Sequence, residues 1–170
     1  MLTDIAKQQL RKAGWYEGRK IDLSKYEEAY AKIGCEMFPA ARKFLEEFGD
    51  LKICDKIEFP YIKEGVSYNE SSTQWPICVG RRDLELEKRV DELYGQKILR
   101  VGALEYCEIY IYISEDGRFF VNWYFDGLWA ENSDQLWNEY YGEEYGRASW
   151  EDLKAGKGRT MFKKKAEKYL

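Results

Sequence analysis

Through the first third of the chain apolar residues recur every three or four positions, the spacing of amphipathic helices. Leu2, Ile5, Ala6, Leu10 and Ala13 mark one face of a predicted first helix, with Thr3 placed to cap it and Gly14 to stop it. A second helix starts at Asp22 or Ser24, where Ser24-x-x-Glu27 reads as a capping box. Its apolar face would be Tyr26, Ala29, Tyr30 and Ile33, and Gly34 its end. Pro39 is preorganised for the first turn of a third helix, in which Ala41, Phe44, Leu45 and Phe48 share a side before Gly49.

From Leu51 the period changes. LKIC and KIEFPYI read as short strands, with Pro60 placing the second at an edge or strand end. Residues 64–74 read as a polar loop and TQWPICVG as a weak strand. DLELEKRVDELYG returns to helical spacing through Leu86, Val90 and Leu93, with Gly95 as its stop. The clearest β pattern follows. Ile109, Ile111 and Ile113 alternate with Tyr110 and Tyr112; after the turn Glu115-Asp116-Gly117, Phe119, Val121 and Trp123 alternate with Phe120, Asn122 and Tyr124. Both faces are bulky, so this antiparallel hairpin belongs in the middle of a sheet. NSDQLWNEYYG reads as a short helix capped by Asn132 or Ser133, and SWEDLKAG and MFKKKAEKYL as marginal helices.

Helices followed by a strand meander predict an α+β fold: N-terminal helices beside a mostly antiparallel sheet, one helix inserted mid-chain and a helix near the C-terminus. At 170 residues, without internal repeats or a low-complexity linker, one domain over residues 1–155 and a basic tail over 156–170 are expected.

Composition narrows the chemistry. The chain has no histidine, which removes Ser-His and Cys-His nucleophile pairs, imidazole proton shuttles and His-bound metals. Cys35, Cys54, Cys78 and Cys107 form no CxxC pair, so a zinc ribbon or thioredoxin-type site has no support and reduced thiols are expected. No metal site and no cofactor are expected. No apolar run approaches the roughly 20 residues that span a bilayer, and the first twelve residues lack a signal-peptide core, so a cytoplasmic location is expected. The net charge is −4, but the last fifteen residues carry +5 and residues 1–155 carry −9. An acidic body repels phosphates, so direct nucleic-acid binding is not expected, whereas a basic protein partner is favoured.

GKGRT at 156–160 lacks the leading glycine and the Ser/Thr directly after Lys that a phosphate-binding loop requires, and reads as a solvated basic loop. Most of the carboxylates fit exposed helix faces. Residues 126–152 stand apart: eight acids face one arginine, with Trp129, Trp137, Tyr140, Tyr141, Tyr145 and Trp150 interleaved. Aromatics anchor interfaces and acids make a selective rim. Part of this set, Leu136 and Tyr140 included, would pack onto the sheet, and the other helix face would stay outside. The candidate partner-binding residues are Trp129, Glu131, Glu139, Tyr141, Glu143, Glu144 and Tyr145.

The joint KAGWYEGRKID spends Trp15, Tyr16 and Arg19 where small polar residues are usual. Leu10, Ala13, Gly14, Trp15, Gly18, Arg19 and Asp22, followed by Gly34 and by Phe44, Leu45, Phe48, Gly49 and Leu51, resemble the third family of the SUKH immunity-protein superfamily. LYGQKILRVG and ISEDGRFFV resemble that family's helix-to-strand passage and its strand-turn-strand, so the likeness spans roughly residues 5–142. The resemblance implies an α+β fold, no catalytic residues, and an immunity protein that neutralises a cognate polymorphic toxin, often a nuclease, by stoichiometric binding in a bacterial cytoplasm. It makes Trp15 and Arg19 architectural. A non-catalytic interaction scaffold is the alternative use of the same fold.

Overall fold

Thr3 turns the chain into the first helix. Its hydroxyl accepts from the Ala6 N–H at 3.3 Å, and α1 runs Asp4–Lys12. The computed structural model describes residues 1–57, 67–73, 82–104, 109–122, 127–142 and 144–163, with the backbone alone described for 53–57 and 67–72. Leu2, Ala6 and Leu10 point into the core, whereas Ile5, about 100° around the axis from Ala6, is 56% exposed and does not join the expected face. α2 runs Ser24–Lys32 and buries Tyr26 and Tyr30. The expected capping box does not form. Asp22 accepts from both the N–H and the hydroxyl of Ser24 at 3.2 and 2.7 Å, so Ser24 is a donor at this helix start. α3 runs Pro39–Phe48 with proline in the first turn, and Ala41, Phe44, Leu45 and Phe48 all buried.

Gly49 follows because the chain passes too close for a side chain: a Cβ there would lie 2.4 Å from the Leu45 carbonyl oxygen and 2.8 Å from Ile21 Cδ1. Beyond it a hydrogen-bonded hub turns the chain into the sheet. The Tyr26 hydroxyl donates to the Thr73 carbonyl at 2.7 Å and accepts from the Asp50 N–H at 2.8 Å. The Thr73 hydroxyl donates to the Phe48 carbonyl and accepts from the Leu51 N–H at 3.0 Å.

Among the described residues eight strands form one antiparallel meander in chain order: β1 Lys52–Ile57, β2 Ser67–Ser72, β3 Ile98–Leu104, β4 Ile109–Ser114, β5 Phe119–Asn122, β6 Gly127–Ala130, β7 Glu144–Ser149 and β8 Thr160–Lys163. Among the described residues three more helices interrupt it: α4 Leu84–Tyr94, α5 Ser133–Tyr141 and α6 Trp150–Lys154. This is the α+β architecture expected, with the mid-chain and C-terminal helices in place. Two readings change. The polar stretch 64–74 holds β2, which pairs with β1 from Lys52↔Ser72 to Ile57↔Ser67, because a ladder uses main-chain groups that any residue except proline supplies. Residues 161–163, the start of a stretch read as a marginal helix, form β8 with Thr160 on the edge of β7. The weak strand TQWPICVG lies outside the described residues from Gln74 onward.

The sheet is covered on both sides. Ile109, Ile111, Ile113, Phe119 and Val121 meet α1, α2, α3 and α5 in one core; Tyr112, Phe120 and Leu128 meet α4 and α6 in a second. Phe44 of α3 is the centre of the first, with ring centroids 5.3 Å from Phe48, 5.0 Å from Phe119 and 6.3 Å from Trp137. In the second, Trp150 stacks on Phe120 at 5.9 Å. A bulge between Arg100 and Gly102 breaks the β3–β4 register, and there the Arg100 carbonyl accepts from the Tyr30 hydroxyl at 2.5 Å.

The joint after α1 closes onto α3. Trp15 stacks on Phe48 at 6.3 Å and its indole N–H donates to Glu47 Oε1 at 3.2 Å. Arg19 donates to the Glu47 carbonyl at 2.8 Å, placing a cation at the C-terminal end of α3. Both side chains are buried and structural.

Two outcomes are expected. Tyr26→Phe removes a buried donor and acceptor at once and should lower unfolding free energy by about 1–3 kcal/mol, read from urea denaturation; an unchanged midpoint would show that the hub carries no weight. Burial pushes the Tyr112 phenol from its usual 10.0 up to about 12, with Asp83 adding to the rise. Its contribution to stability should be complete below pH 10 and be lost as pH climbs through about 12. An ultraviolet titration should show a late phenol that Tyr112→Phe removes.

Candidate partner-binding surface

The C-terminal quarter is built around the turn that leaves β6. Asn132 caps α5 by accepting from the Gln135 N–H at 2.9 Å, and Gln135 Oε1 accepts in return from the Glu131 N–H at 2.9 Å. This reciprocal pair sets the phase of α5, so that Leu136, Trp137, Glu139 and Tyr140 point inward. Asn138, on another side, accepts from the Thr3 N–H at 2.7 Å and donates to the Met1 carbonyl at 3.0 Å, holding the start of the chain against α5.

The sequence candidates divide accordingly. Trp129 of β6 is half-buried against the first core, and its centroid lies 6.5 Å from that of Tyr145 on β7. Tyr145 in turn stacks on Phe162 of β8 at 5.5 Å, which completes an aromatic row across three strands. The register Tyr145↔Phe162 puts these two rings on the same side of the sheet. Glu131 and Glu144 are exposed; Glu144 adjoins Tyr145 on β7, whereas Glu131 lies within electrostatic reach of Arg118. Glu144 lies 3.8 Å from Lys163, an exposed pair of little energetic weight. Tyr141 is only partly exposed: it stacks on Trp137 at 6.3 Å and meets Tyr140 edge-on at 4.9 Å, so it belongs as much to the core as to a rim. Glu143 lies outside the described residues.

Glu139 is corrected outright as a rim charge. It is 6% exposed and its carboxylate forms an ion pair with Arg159 whose side chains are both 8% exposed. Glu139 Oε2 also accepts from the Gly146 N–H at 2.9 Å, and Arg159 donates to the Gly146 carbonyl at 2.7 Å. The two charges thus satisfy a strand residue beyond the last β6–β7 pair, Leu128↔Ala148. A Cβ at 146 would lie 2.7 Å from Met161 Sδ and 2.9 Å from Arg159 Nη2, so any side chain there would displace one of these two side-chain ends.

Sequence reasoning missed Phe162 and Arg147. The guanidinium of Arg147 sits 4.6 Å over the Phe162 ring, and TMFK is too short an alternation to announce a strand. Among the described residues no cluster of three His, Cys, Asp or Glu side chains could hold a metal ion. Cys35 is a free, half-buried thiol whose pKa burial pushes up.

With this geometry in place, comparison with known families gives one result. The model for the SUKH-3 immunity protein family matches residues 3–141, more than four fifths of the chain. The chain belongs to the SUKH-3 immunity protein family. Comparison with curated proteins and with solved structures gives no match. The SUKH-3 match ends at the last residue of α5, so β7, α6 and β8 lie beyond it. They are joined to the SUKH-3 region by the β6–β7 pairs, by Trp150 on Phe120, and by the Glu139–Arg159 ion pair.

Breaking that buried pair from one side leaves an uncompensated charge. Glu139→Ala should cost about 3–5 kcal/mol by chemical denaturation, and exchange of the β8 amides should accelerate. Equal stability of Glu139→Ala and the parent would show that the C-terminal hairpin holds without its ion pair.

Proposed function

We propose that this SUKH-3 protein neutralises a cognate toxin domain by stoichiometric binding, and that the toxin presents a basic, nuclease-type surface. Family membership is the observation that carries the reading. The charge of the body supports the choice of partner: residues 1–155 carry −9, and opposite charge accelerates encounter. The contact we propose is the row Trp129, Tyr145 and Phe162, with Tyr141 at its flank and Glu131, Glu144 and, from the sequence, Glu143 as the acidic rim. Aromatic rings anchor, and solvated acids select and steer. Glu139 serves this surface from beneath, through the ion pair that holds the hairpin.

The mechanism is occlusion of the toxin's working surface or anchoring beside it, with no chemical step on this chain. We place the encounter in a bacterial cytoplasm, where the toxin would otherwise act on its own producer. Among the described residues no helix is long and apolar enough to cross a membrane.

Co-expression with the toxin-like domain encoded beside this gene should restore growth and yield a one-to-one complex. Toxicity without rescue or complex would favour a scaffold of the same superfamily. Given a complex, Glu131→Lys with Glu144→Lys should slow association by about tenfold at low salt, with a smaller effect at high salt. An association rate unchanged by both reversals would remove this rim from the interface.

A further inference from the structure

Among the described residues β8 ends the meander: it pairs with β7, and no strand lies beyond it. How Gly146 of β7 is bonded decides which main-chain groups β8 presents at that edge. Residues opposite each other in an antiparallel pair alternate between those that exchange hydrogen bonds and those that do not. The Gly146 N–H donates to Glu139 at 2.9 Å and its carbonyl accepts from Arg159 at 2.7 Å, so both groups are turned away from β8. Gly146↔Met161 is therefore a non-hydrogen-bonded pair, and so is Glu144↔Lys163, two residues along. The ladder bonds run through Tyr145↔Phe162 and Arg147↔Thr160. The N–H and C=O groups of Met161 and Lys163 consequently point outward, away from β7.

The side chains leave this edge accessible. Met161 is 56% exposed, and Thr160 and Lys163 are exposed as well. An edge lysine usually deters a further strand, but Lys163 lies 3.8 Å from Glu144, which partly neutralises it. The row Trp129, Tyr145 and Phe162 ends at the same edge. A further strand would therefore set one of its side chains beside the Phe162 ring.

We infer that a second copy of this chain occupies the edge: β8 pairs antiparallel with its own copy about a twofold axis through Phe162, normal to the sheet. Only Met161 and Lys163 offer outward groups within β8, so a symmetric pair has three registers. With Lys163 on the axis two lysines stand opposite each other, which destabilises a strand pair. With Met161 on the axis Lys163 faces Arg159 of the second copy, again like against like. With Phe162 on the axis each Lys163 faces a methionine, Met161 of the second copy. Met161 and Lys163 then exchange four main-chain hydrogen bonds across the axis. Phe162 meets its own copy as a non-hydrogen-bonded pair, the position in which side chains lie closest. Opposite residues share a face, so two rows of three rings join into one of six. Register, charge and ring all match the strand to itself, which favours a second copy over a foreign strand. Pairing lies in the plane of the sheet and leaves the face of the row open to the proposed toxin contact.

The test is sedimentation of the full chain from micromolar to millimolar concentration, in which the mass should rise from one chain to two. Met161→Glu sets a carboxylate opposite Lys163 twice per dimer, and Met161→Lys sets like charges there. Their dissociation constants should differ by about tenfold, with the glutamate variant the tighter. Met161→Pro should return the mass to one chain, because it removes two of the four hydrogen bonds between copies and none to β7. Phe162→Cys should link two chains by a disulfide on mild oxidation faster than the parent does, since opposed Cα atoms fall within the bonding range of about 4.4–6.8 Å. Met161→Glu changes an exposed side chain and keeps the test valid if Met161→Pro fails to fold. A single-chain mass at every concentration would overturn the assignment; it is the result if another protein's strand, or residues 164–170 of the same chain, take this edge. So would a dimer unmoved by Met161→Pro, equal dimer strength in the two charge variants, or no gain in cross-linking with Phe162→Cys. No toxin enters the experiment, so its failure and that of toxin neutralisation are separate results.

Discussion

A sheet whose central hairpin is apolar on both faces cannot leave either face to water. The β4–β5 hairpin carries Ile109, Ile111, Ile113, Phe119 and Val121 on one side and Tyr112 and Phe120 on the other, all buried. The rest of the chain follows from that demand. Helices α1–α3 arrive before the sheet and cover the first side. α4 is inserted between β2 and β3 and covers the second. The C-terminal helices repeat the alternation: α5 returns to the first core through Leu136 and Trp137, and α6 brings Trp150 to the second.

The same constraint places the interaction surface. With both faces of the middle strands in use, side chains left half-exposed collect where the covering helices run out, at the β6–β8 end. There Trp129, Tyr145 and Phe162 are backed by packed structure yet still reach solvent. Rings held this way lose little freedom on binding, which suits them as anchors. Their support is the unusual part. A buried ion pair across a glycine holds the hairpin that carries two of the three rings, so a charge that looked like rim is foundation.

SUKH-3 membership covers the chain as far as α5, and the strands that complete the aromatic row come after it. The proposed contact therefore spans both stretches: Trp129 and Tyr141 lie within the matched residues, Tyr145 and Phe162 beyond them.

Periodicity alone determined five of the six described helices and the central hairpin, because those elements bury one face or two and write that burial into their spacing. Pro39, Gly49 and Asn132 marked their boundaries for local reasons: a preset φ, a close approach, a capping oxygen. Acidity and the lack of histidine are likewise properties of composition, whatever the fold. Only the tertiary structure decided the remainder. β2 and β8 form from weakly patterned segments because neighbouring strands offer them an edge, and main-chain pairing leaves no residue signature. Glu139 reads as one more acid on a polar helix until Arg159, twenty positions later, is brought against it. Phe162 becomes part of a surface only through its register with Tyr145. Spacing along a chain reports which residues leave water; which partner each one meets is set by contacts between distant segments.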